Sequence, residues 1–254
     1  MEWKLLTKTR SLLLGLLLVA AAWSPAQANP LGIPDVEYNA LVALYNSTGG
    51  AGWKNSSNWL TATPGWYGVT VTGGRVTRLS LSGNQLSGSI PAQLGSLSRL
   101  AELNLGSNQL AGAIPASLGS LSNLQVLRLD GNGLTGSIPP EFGLLANLQY
   151  LRLDSNRLTG GIPPEIGGIA SLQYLRLSSN RLTGDIPVTL GNLSNLNDLR
   201  LGENRLTGAI PRELRYLASL QYLDLHSNQL TGTIPTWLGV LLSLIHISEP
   251  TRPY

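Results

Sequence analysis

Residues 148–171 read LQYLRLDSNRLTGGIPPEIGGIAS, and the chain repeats this unit seven times with variations and without an insertion. Apolar side chains, one asparagine, one glycine and an Ile-Pro pair return at fixed offsets every 24 residues. A fixed period in this range indicates a stacked repeat architecture, because a single unit cannot bury its apolar side alone. The seven units begin at Val76, Leu100, Leu124, Leu148, Leu172, Leu196 and Leu220.

Each unit carries local signals for three elements. The opening LxxLxL alternation favours a short strand with its leucines turned inward. The asparagine that follows is surrounded by leucine, so its amide must bond to the backbone or cost about 1–3 kcal/mol. Stacked asparagines can therefore tie one coil to the next. In LxGxIP the glycine suits a left-handed bend and the proline stops the strand, while LGxL predicts one turn of 3₁₀ or α-helix.

The complete pattern LxxLxLxxNxLxGxIPxxLGxLxx, as in residues 172–195, resembles the leucine-rich repeat family over residues 76–241. Its GxIP half is similar to the subclass of plant receptor ectodomains and polygalacturonase inhibitors. The segment ALVALYNSTGGAGWKNSSNW (residues 40–59) resembles the N-terminal caps of bacterial secreted members, and it lacks the paired cysteines of plant caps. The resemblance implies an α/β repeat fold: a right-handed leucine-rich-repeat solenoid with a parallel concave β-sheet, a convex side of short 3₁₀ helices and turns, and ligands bound on the concave face.

Residues 1–28 are predicted to be a secretory signal peptide. Lys4, Lys8 and Arg10 precede an apolar run over residues 11–22, and Ala26-Gln27-Ala28 supplies small residues for cleavage. The apolar run is shorter than the roughly 20 residues that cross a bilayer. We therefore expect export to the periplasm, the cell surface or the medium, with no membrane span in the mature chain.

Residues 29–75 are predicted to form an N-terminal cap. A short helix should begin at Asp35, as its N-cap, and end near Tyr45. Its apolar face is predicted to comprise Val36, Ala40, Leu41 and Leu44. Trp53, Trp59 and Trp66 follow, and we interpret them as a core that covers the first repeat rather than an aromatic platform for sugars.

Residues 242–254 break the repeat pattern. Glu249 stands where an inward leucine belongs, and Arg252 occupies the asparagine position. The stretch LSLIHISEPTR also resembles the translation of a transposon-end sequencing adapter. We interpret residues 242–254 as a non-native tail on a truncated chain; the alternative is a divergent C-terminal cap.

Outward side chains of the predicted strands form three columns on the concave face, with neighbouring coils about 4.8 Å apart. Four stacked arginines would repel one another, so the face is either self-neutralised by its aspartates or built to bind anions such as carboxylates. Arg176 has no acid on its own strand and is the predicted anion seat. The candidate ligand-binding residues are Arg128, Asp130, Tyr150, Arg152, Asp154, Tyr174, Arg176, Asp198, Arg200, Tyr222 and Asp224.

Several chemistries are disfavoured. The chain has no cysteine, which excludes disulfides, thiolate catalysis and cysteine-based zinc sites. His226 has no second histidine outside the tail, so we predict neither a metal nor a cofactor and expect a surface role for this residue. Asp130 and Asp154 lie on adjacent coils, but neighbouring arginines oppose the raised pKa that a general acid needs. We therefore predict no enzyme activity.

The remaining function classes involve binding. The net charge of +3 includes four cations near the termini and no Lys/Arg run, so nucleic acid is not a predicted partner. A threonine column recurs between Thr135 and Thr231, but no second matching column supports ice binding. We predict non-catalytic recognition of a protein or peptide, with an acidic polysaccharide as the alternative ligand. Competing classes are a structural or adhesive surface component and the ectodomain of a sensor.

Overall fold

The computed structural model describes residues 29–238 and the backbone of residues 246–247. The predicted signal peptide and most of the predicted non-native tail lie outside the described residues. Short strands and 3₁₀ helices alternate once per coil after an N-terminal helix, α1 (Asp35–Ser47). The 3₁₀ helices are Gly50–Gly52, Ala92–Ser96, Ala116–Ser120, Pro140–Leu144, Pro164–Gly168, Val188–Asn192 and Arg212–Tyr216.

The opening LxxLxL segments form one sheet, which in the described residues has the order β1-β2-β4-β6-β8-β9-β11-β13-β14. Except for the antiparallel β1–β2 pair, neighbours are parallel and shifted by one whole repeat. The strands are β1 (Val69–Thr72), β2 (Arg75–Ser80), β4 (Glu102–Asn104), β6 (Val126–Arg128), β8 (Tyr150–Arg152), β9 (Tyr174–Arg176), β11 (Asp198–Arg200), β13 (Tyr222–Asp224) and β14 (His246–Ile247).

A second set of short parallel strands runs along one side of the solenoid, in the segment that follows the repeat asparagine of each coil. It forms one sheet of order β3-β5-β7 and another of order β10-β12. We call this surface the flank. Its strands are β3 (Ser87–Ser89), β5 (Gln109–Ala113), β7 (Gly133–Thr135), β10 (Thr183–Asp185) and β12 (Arg205–Thr207).

The predicted solenoid is confirmed: a parallel concave sheet lies opposite a convex row of 3₁₀ helices. Each 3₁₀ helix of the repeats follows the proline of the Ile-Pro pair, as at Pro163, whose φ of −62° leads into the turn. Close stacking of these helices requires glycine, because a Cβ at Gly119 would lie 2.5 Å from the carbonyl oxygen of Glu141 in the next coil. The inward leucines form one continuous buried core.

The asparagine column joins the coils as predicted. Asn156 Nδ2 donates to the carbonyl oxygens of Leu129, in the preceding coil, and Leu153, over 3.0 and 3.1 Å. Its Oδ1 accepts the N–H of Leu134 over 3.0 Å. One side-chain amide therefore bonds to backbone groups of two adjacent coils, which the surrounding leucine side chains could not pair.

The N-terminal helix differs from the prediction in two details. Pro34, not Asp35, is the N-cap, and no side chain caps the helix. Val36 is 56% exposed, and Glu37 is fully buried in its place. Glu37 accepts hydrogen bonds from Arg75 Nε over 2.6 Å and from the N–H of Val76 over 2.8 Å. Because this carboxylate bonds to the backbone of β2, a buried charged side chain joins the helix to the first coil. The spacing of apolar residues in the sequence cannot indicate such a contact.

The three tryptophans pack as a core. Trp53, Trp59 and Trp66 are buried. The rings of Trp53 and Trp59 lie 4.8 Å apart in edge contact, and those of Trp59 and Trp66 lie 4.9 Å apart. Because these faces pack against one another, they offer no platform to a sugar, and their interpretation as a core is confirmed.

Replacing Asn156 with alanine should lower the free energy of unfolding by about 3 kcal/mol, because the substitution leaves an N–H and carbonyl oxygens of two coils unpaired. Urea denaturation followed by circular dichroism measures the change. Asn147→Ala is the matched control, since its amide makes a single exposed bond to the carbonyl of Ser122. We expect about 0.5 kcal/mol or less for the control, and equal losses in the two variants would contradict the role of the asparagine column.

Candidate recognition face on the concave sheet

The predicted site residues share the outer face of the concave sheet and the turn that follows it. Tyr150 and Arg152 flank Leu151, which is fully buried, so they stand on the opposite side of β8. The parallel register places Arg152 beside Arg128 on one side and Arg176 on the other. The structure thus brings the eleven candidates together as adjoining columns along the solenoid.

Two tyrosines form the aromatic centre of this face. The rings of Tyr150 and Tyr174 are stacked with centroids 4.2 Å apart and an interplanar angle of 8°. A hydrogen bond with Tyr174, with burial as a smaller cause, raises the pKa of Tyr150. Because the two rings cover each other's faces along the solenoid, we expect a ligand to meet mainly ring edges and hydroxyl groups.

The first ionic group comprises Arg128, Asp130, Arg152 and Asp154. Arg152 Nη2 lies 3.3 Å from Asp130 Oδ2 and 3.2 Å from Asp154 Oδ2. Arg128 Nε lies 3.6 Å from Asp130 Oδ1. Burial opposes the charge on Arg152, but the hydrogen bond with Asp154 and the charge of Asp130 prevail and raise its pKa. These four side chains are mutually neutralised.

The second ionic group corrects the prediction for Arg176. Arg176 Nη2 donates to Asp198 Oδ2 over 2.7 Å, and Arg200 Nε donates to Asp198 Oδ1 over 2.9 Å. Asp198 is only 1% exposed. Arg176 is therefore not an open anion seat, because its side chain reaches the acid of the next coil. Arg200 also lies over the ring of Tyr222, 5.7 Å from its centroid.

A third group was not predicted from the sequence. His226 Nδ1 bonds to Asp224 Oδ1, and His226 Nε2 lies 3.5 Å from Glu203 Oε1. Ser179 Oγ donates to Glu203 Oε2 over 2.6 Å. His226 is half-buried between two carboxylates, not a plain surface residue. The hydrogen bond with Asp224 is the largest cause that raises the pKa of His226.

The backbone at Glu203 marks this third group. Glu203 has a φ of +55°, in the left-handed region, where the equivalent positions of the other six coils carry serine or glycine: Gly83, Ser107, Gly131, Ser155, Ser179 and Ser227. A long charged side chain in this conformation is uncommon and often accompanies function. The sequence did contain a signal for this group: Glu203 stands at a position that is serine or glycine in the other coils. That departure from the repeat could have identified Glu203, and hence its contact with His226.

The three groups give the concave face a charge pattern along its axis. Two arginines face two aspartates in the first group, and two arginines face Asp198 in the second, which leaves an excess of positive charge there. Asp224 and Glu203 place an excess of negative charge at the C-terminal end. In the described part of the chain, no cluster of His, Cys, Asp and Glu is suited to a metal ion.

Stacked 24-residue coils that present one parallel concave sheet define a solenoid repeat protein. A family model described as a leucine-rich repeat region matches residues 74–207, and another, described as leucine rich repeat, matches residues 219–241. The chain belongs to the leucine-rich repeat family. Over residues 29–238 and 246–247, no helix is long and apolar enough to cross a bilayer.

Solved structures with similar folds include plant receptor ectodomains. The PEPR1–AtPEP1 structure is 31% identical, with a TM-score of 0.78 over 86% of this chain and 32% of that one. The Arabidopsis receptor kinase HAESA ectodomain with an IDA peptide hormone ligand is 32% identical, with a TM-score of 0.67 over 85% and 42%. A plant ice-binding protein is 32% identical, with a TM-score of 0.73 over 80% and 66%. The chain spans about a third of the length of the first of these. No curated protein sequence matches it significantly.

Asp198→Asn should lower the free energy of unfolding by about 2 kcal/mol, because it leaves two guanidinium groups without their shared carboxylate. We expect a smaller loss of stability than from breaking a fully buried ion pair, because the side chains of Arg176 and Arg200 are 26% and 40% exposed. Urea denaturation measures it. The matched control is Asp154→Asn, where Arg152 keeps Asp130, and we expect about 1 kcal/mol or less. A control as damaging as Asp198→Asn would refute the shared pair.

The raised pKa of His226 makes stability depend on pH. The charged imidazole is favoured in the folded state, so its contribution is fully present below the unfolded pKa of about 6.5 and is lost as pH rises through the folded pKa. We expect the free energy of unfolding to fall more steeply between about pH 6 and pH 8 in the wild type than in His226→Gln. NMR titration, assigned with that variant, should show a pKa above 6.5 that drops in Asp224→Asn; an unshifted pKa would contradict this.

Proposed function

We propose that the chain is a non-catalytic, exported recognition module that binds a protein or peptide ligand on the concave face. The observation that carries this proposal is the stacked Tyr150–Tyr174 pair, which is half-buried and lies between two ionic groups. Tyrosine and arginine are enriched at protein interfaces because each combines apolar area with hydrogen bonding. Ion pairs that are already formed spare the ligand part of the ordering cost.

The charge pattern indicates how a ligand would lie. The second ionic group carries one positive charge in excess, and Arg200 is its more exposed arginine, so this group favours an acidic side chain or a terminal carboxylate near Arg200. Glu203 with Asp224 favours a basic group. A peptide with an acidic group at one end and a basic group at the other would thus align along the solenoid axis. The solved complexes of PEPR1 with AtPEP1 and of HAESA with a peptide hormone are consistent with such a ligand.

Neither catalysis nor ice binding is proposed. Asp130 and Asp154 both pair with Arg152, over 3.3 and 3.2 Å, so the two carboxylates are engaged in ion pairs with the same guanidinium group. One similar structure is a plant ice-binding protein. On this chain, however, the exposed threonines of the flank adjoin the charged side chains of Arg181 and Arg205, which interrupt a flat surface of methyl and hydroxyl groups.

The double substitution Tyr150→Ala/Tyr174→Ala should weaken ligand binding by roughly tenfold or more, as expected for aromatic hot spots. Peptides selected on the wild-type protein from a phage-displayed random library serve as probes, and surface plasmon resonance measures their affinity for each variant. The matched control is Tyr216→Ala, which removes a tyrosine that is 57% exposed on the convex side and should leave affinity unchanged.

Two results would overturn the proposal. Selected peptides that bind the double variant as tightly as the wild type would place recognition elsewhere. A selection that enriches no peptide would favour a structural or adhesive surface component instead. Melting temperatures of all variants, measured in parallel, separate lost contacts from lost folding.

A further inference from the structure

The flank carries a second row of arginines outside the concave face. Arg157, Arg181 and Arg205 occupy the same position in three successive coils and are exposed. Their backbone N–H groups donate to Leu134, Leu158 and Leu182 of the preceding coil over 2.8–2.9 Å. The row is therefore fixed by the solenoid ladder, with about 4.8 Å between neighbouring backbones.

These arginines differ from those of the concave face in having no acidic partner. Within the described residues, no ion pair or side-chain hydrogen bond engages Arg157, Arg181 or Arg205. The acids nearest to Arg181 and Arg205 in sequence do not pair with the row, since Asp185 accepts from the hydroxyl of Thr207 and Glu203 accepts from the hydroxyl of Ser179. The row consequently presents three guanidinium groups to solvent, and none of them has an ion-pair partner among the described residues.

The spacing of the row favours a ligand with repeated negative charges. Neighbouring backbones lie closer together than the Debye length of about 8 Å at physiological salt, so the charges repel one another. An anion between two guanidinium groups relieves that repulsion, and a polymer that places several anions along the row gains from simultaneous contacts. A single small anion lacks this advantage.

The side chains beside the row favour a sugar polymer. Thr159 and Thr183 stand two residues beyond Arg157 and Arg181, with Leu158 and Leu182 buried between them, so each arginine and threonine share the outer side of the flank. Threonine hydroxyls can donate to and accept from sugar hydroxyls. The same column offers no aromatic side chain for base stacking, which single-stranded nucleic acid binding uses.

We propose that the flank formed by Arg157, Thr159, Arg181, Thr183 and Arg205 binds a linear acidic polysaccharide. The guanidinium groups contact its carboxylate or sulfate groups, and the threonine hydroxyls contact its ring hydroxyls. This site is separate from the concave face and does not depend on the peptide ligand proposed for it. It would anchor the solenoid to an anionic glycan while the concave face stays open.

The chain itself supplies the conservative replacement for the test. Gln229 occupies the arginine position in the coil that follows the row, and Gln109 occupies it two coils before Arg157. Their N–H groups make the same backbone bonds, of 2.8 Å, to the carbonyl oxygens of Leu206 and Leu86. The triple variant Arg157→Gln/Arg181→Gln/Arg205→Gln therefore keeps a side chain that this position already accommodates. Arg99→Gln/Arg212→Gln/Arg215→Gln removes the same charge from exposed arginines elsewhere and is the matched control.

Isothermal titration calorimetry against polygalacturonate and dextran sulfate measures the binding, with uncharged dextran and oligothymidine as comparison probes. We expect the flank variant to lose roughly tenfold or more in affinity for one or both polyanionic glycans, and the control variant to stay within about twofold of wild type. Wild-type binding should weaken as salt rises. The Tyr150→Ala/Tyr174→Ala variant should bind the glycan normally, so failure at one face is distinguishable from failure at the other.

Three outcomes would overturn the proposal. The first is no binding of either acidic glycan by the wild type. The second is an equal loss of glycan affinity in the flank and control variants, which would show that binding depends only on the net charge of the protein. The third is tighter binding of oligothymidine than of the glycans, which would make the row a nucleic-acid surface.

Discussion

Every coil of this solenoid leaves backbone groups that only an adjacent coil can satisfy. A three-residue strand such as Tyr150–Arg152 cannot pair its own N–H and carbonyl groups, and the leucine core excludes water from the turn that follows. The asparagine column resolves this, because the amide of Asn180 donates to Leu153 and accepts from Leu158. Neighbouring coils are therefore held in a single register, and the surfaces inherit it.

Because the register is fixed, identical side chains of adjacent coils lie directly beside one another. This has opposite consequences for aromatic and for charged side chains. Tyr150 and Tyr174 gain a parallel ring contact from it. Arginines in the same arrangement repel, and the concave face offsets that repulsion by placing aspartates within reach of two coils at once, as Asp198 does for Arg176 and Arg200. The charge pattern of the face thus follows from the periodicity of the backbone.

The repeat pattern predicted the solenoid, its inward leucines and its asparagine bonds, because each depends on one offset repeated in every coil. It did not predict contacts that depend on departures from the pattern. Glu37 is buried against Arg75, outside the repeats. Arg176 reaches an acid on the next strand, and Glu203 replaces the usual serine or glycine to meet His226. Such contacts depend on the length and direction of a side chain across coils, which an apolar period does not encode.

The two surfaces differ in how they would bind their partners. Charges on the concave face are largely neutralised before a ligand arrives, so recognition there depends on shape, ring edges and the hydrogen bonds that the ionic groups still offer. Arg157, Arg181 and Arg205 on the flank have no ion-pair partner in the described chain. Binding at the flank should therefore be electrostatic and sensitive to salt, whereas concave binding should vary less with salt. A solenoid can combine the two because one backbone ladder keeps their side chains on separate surfaces.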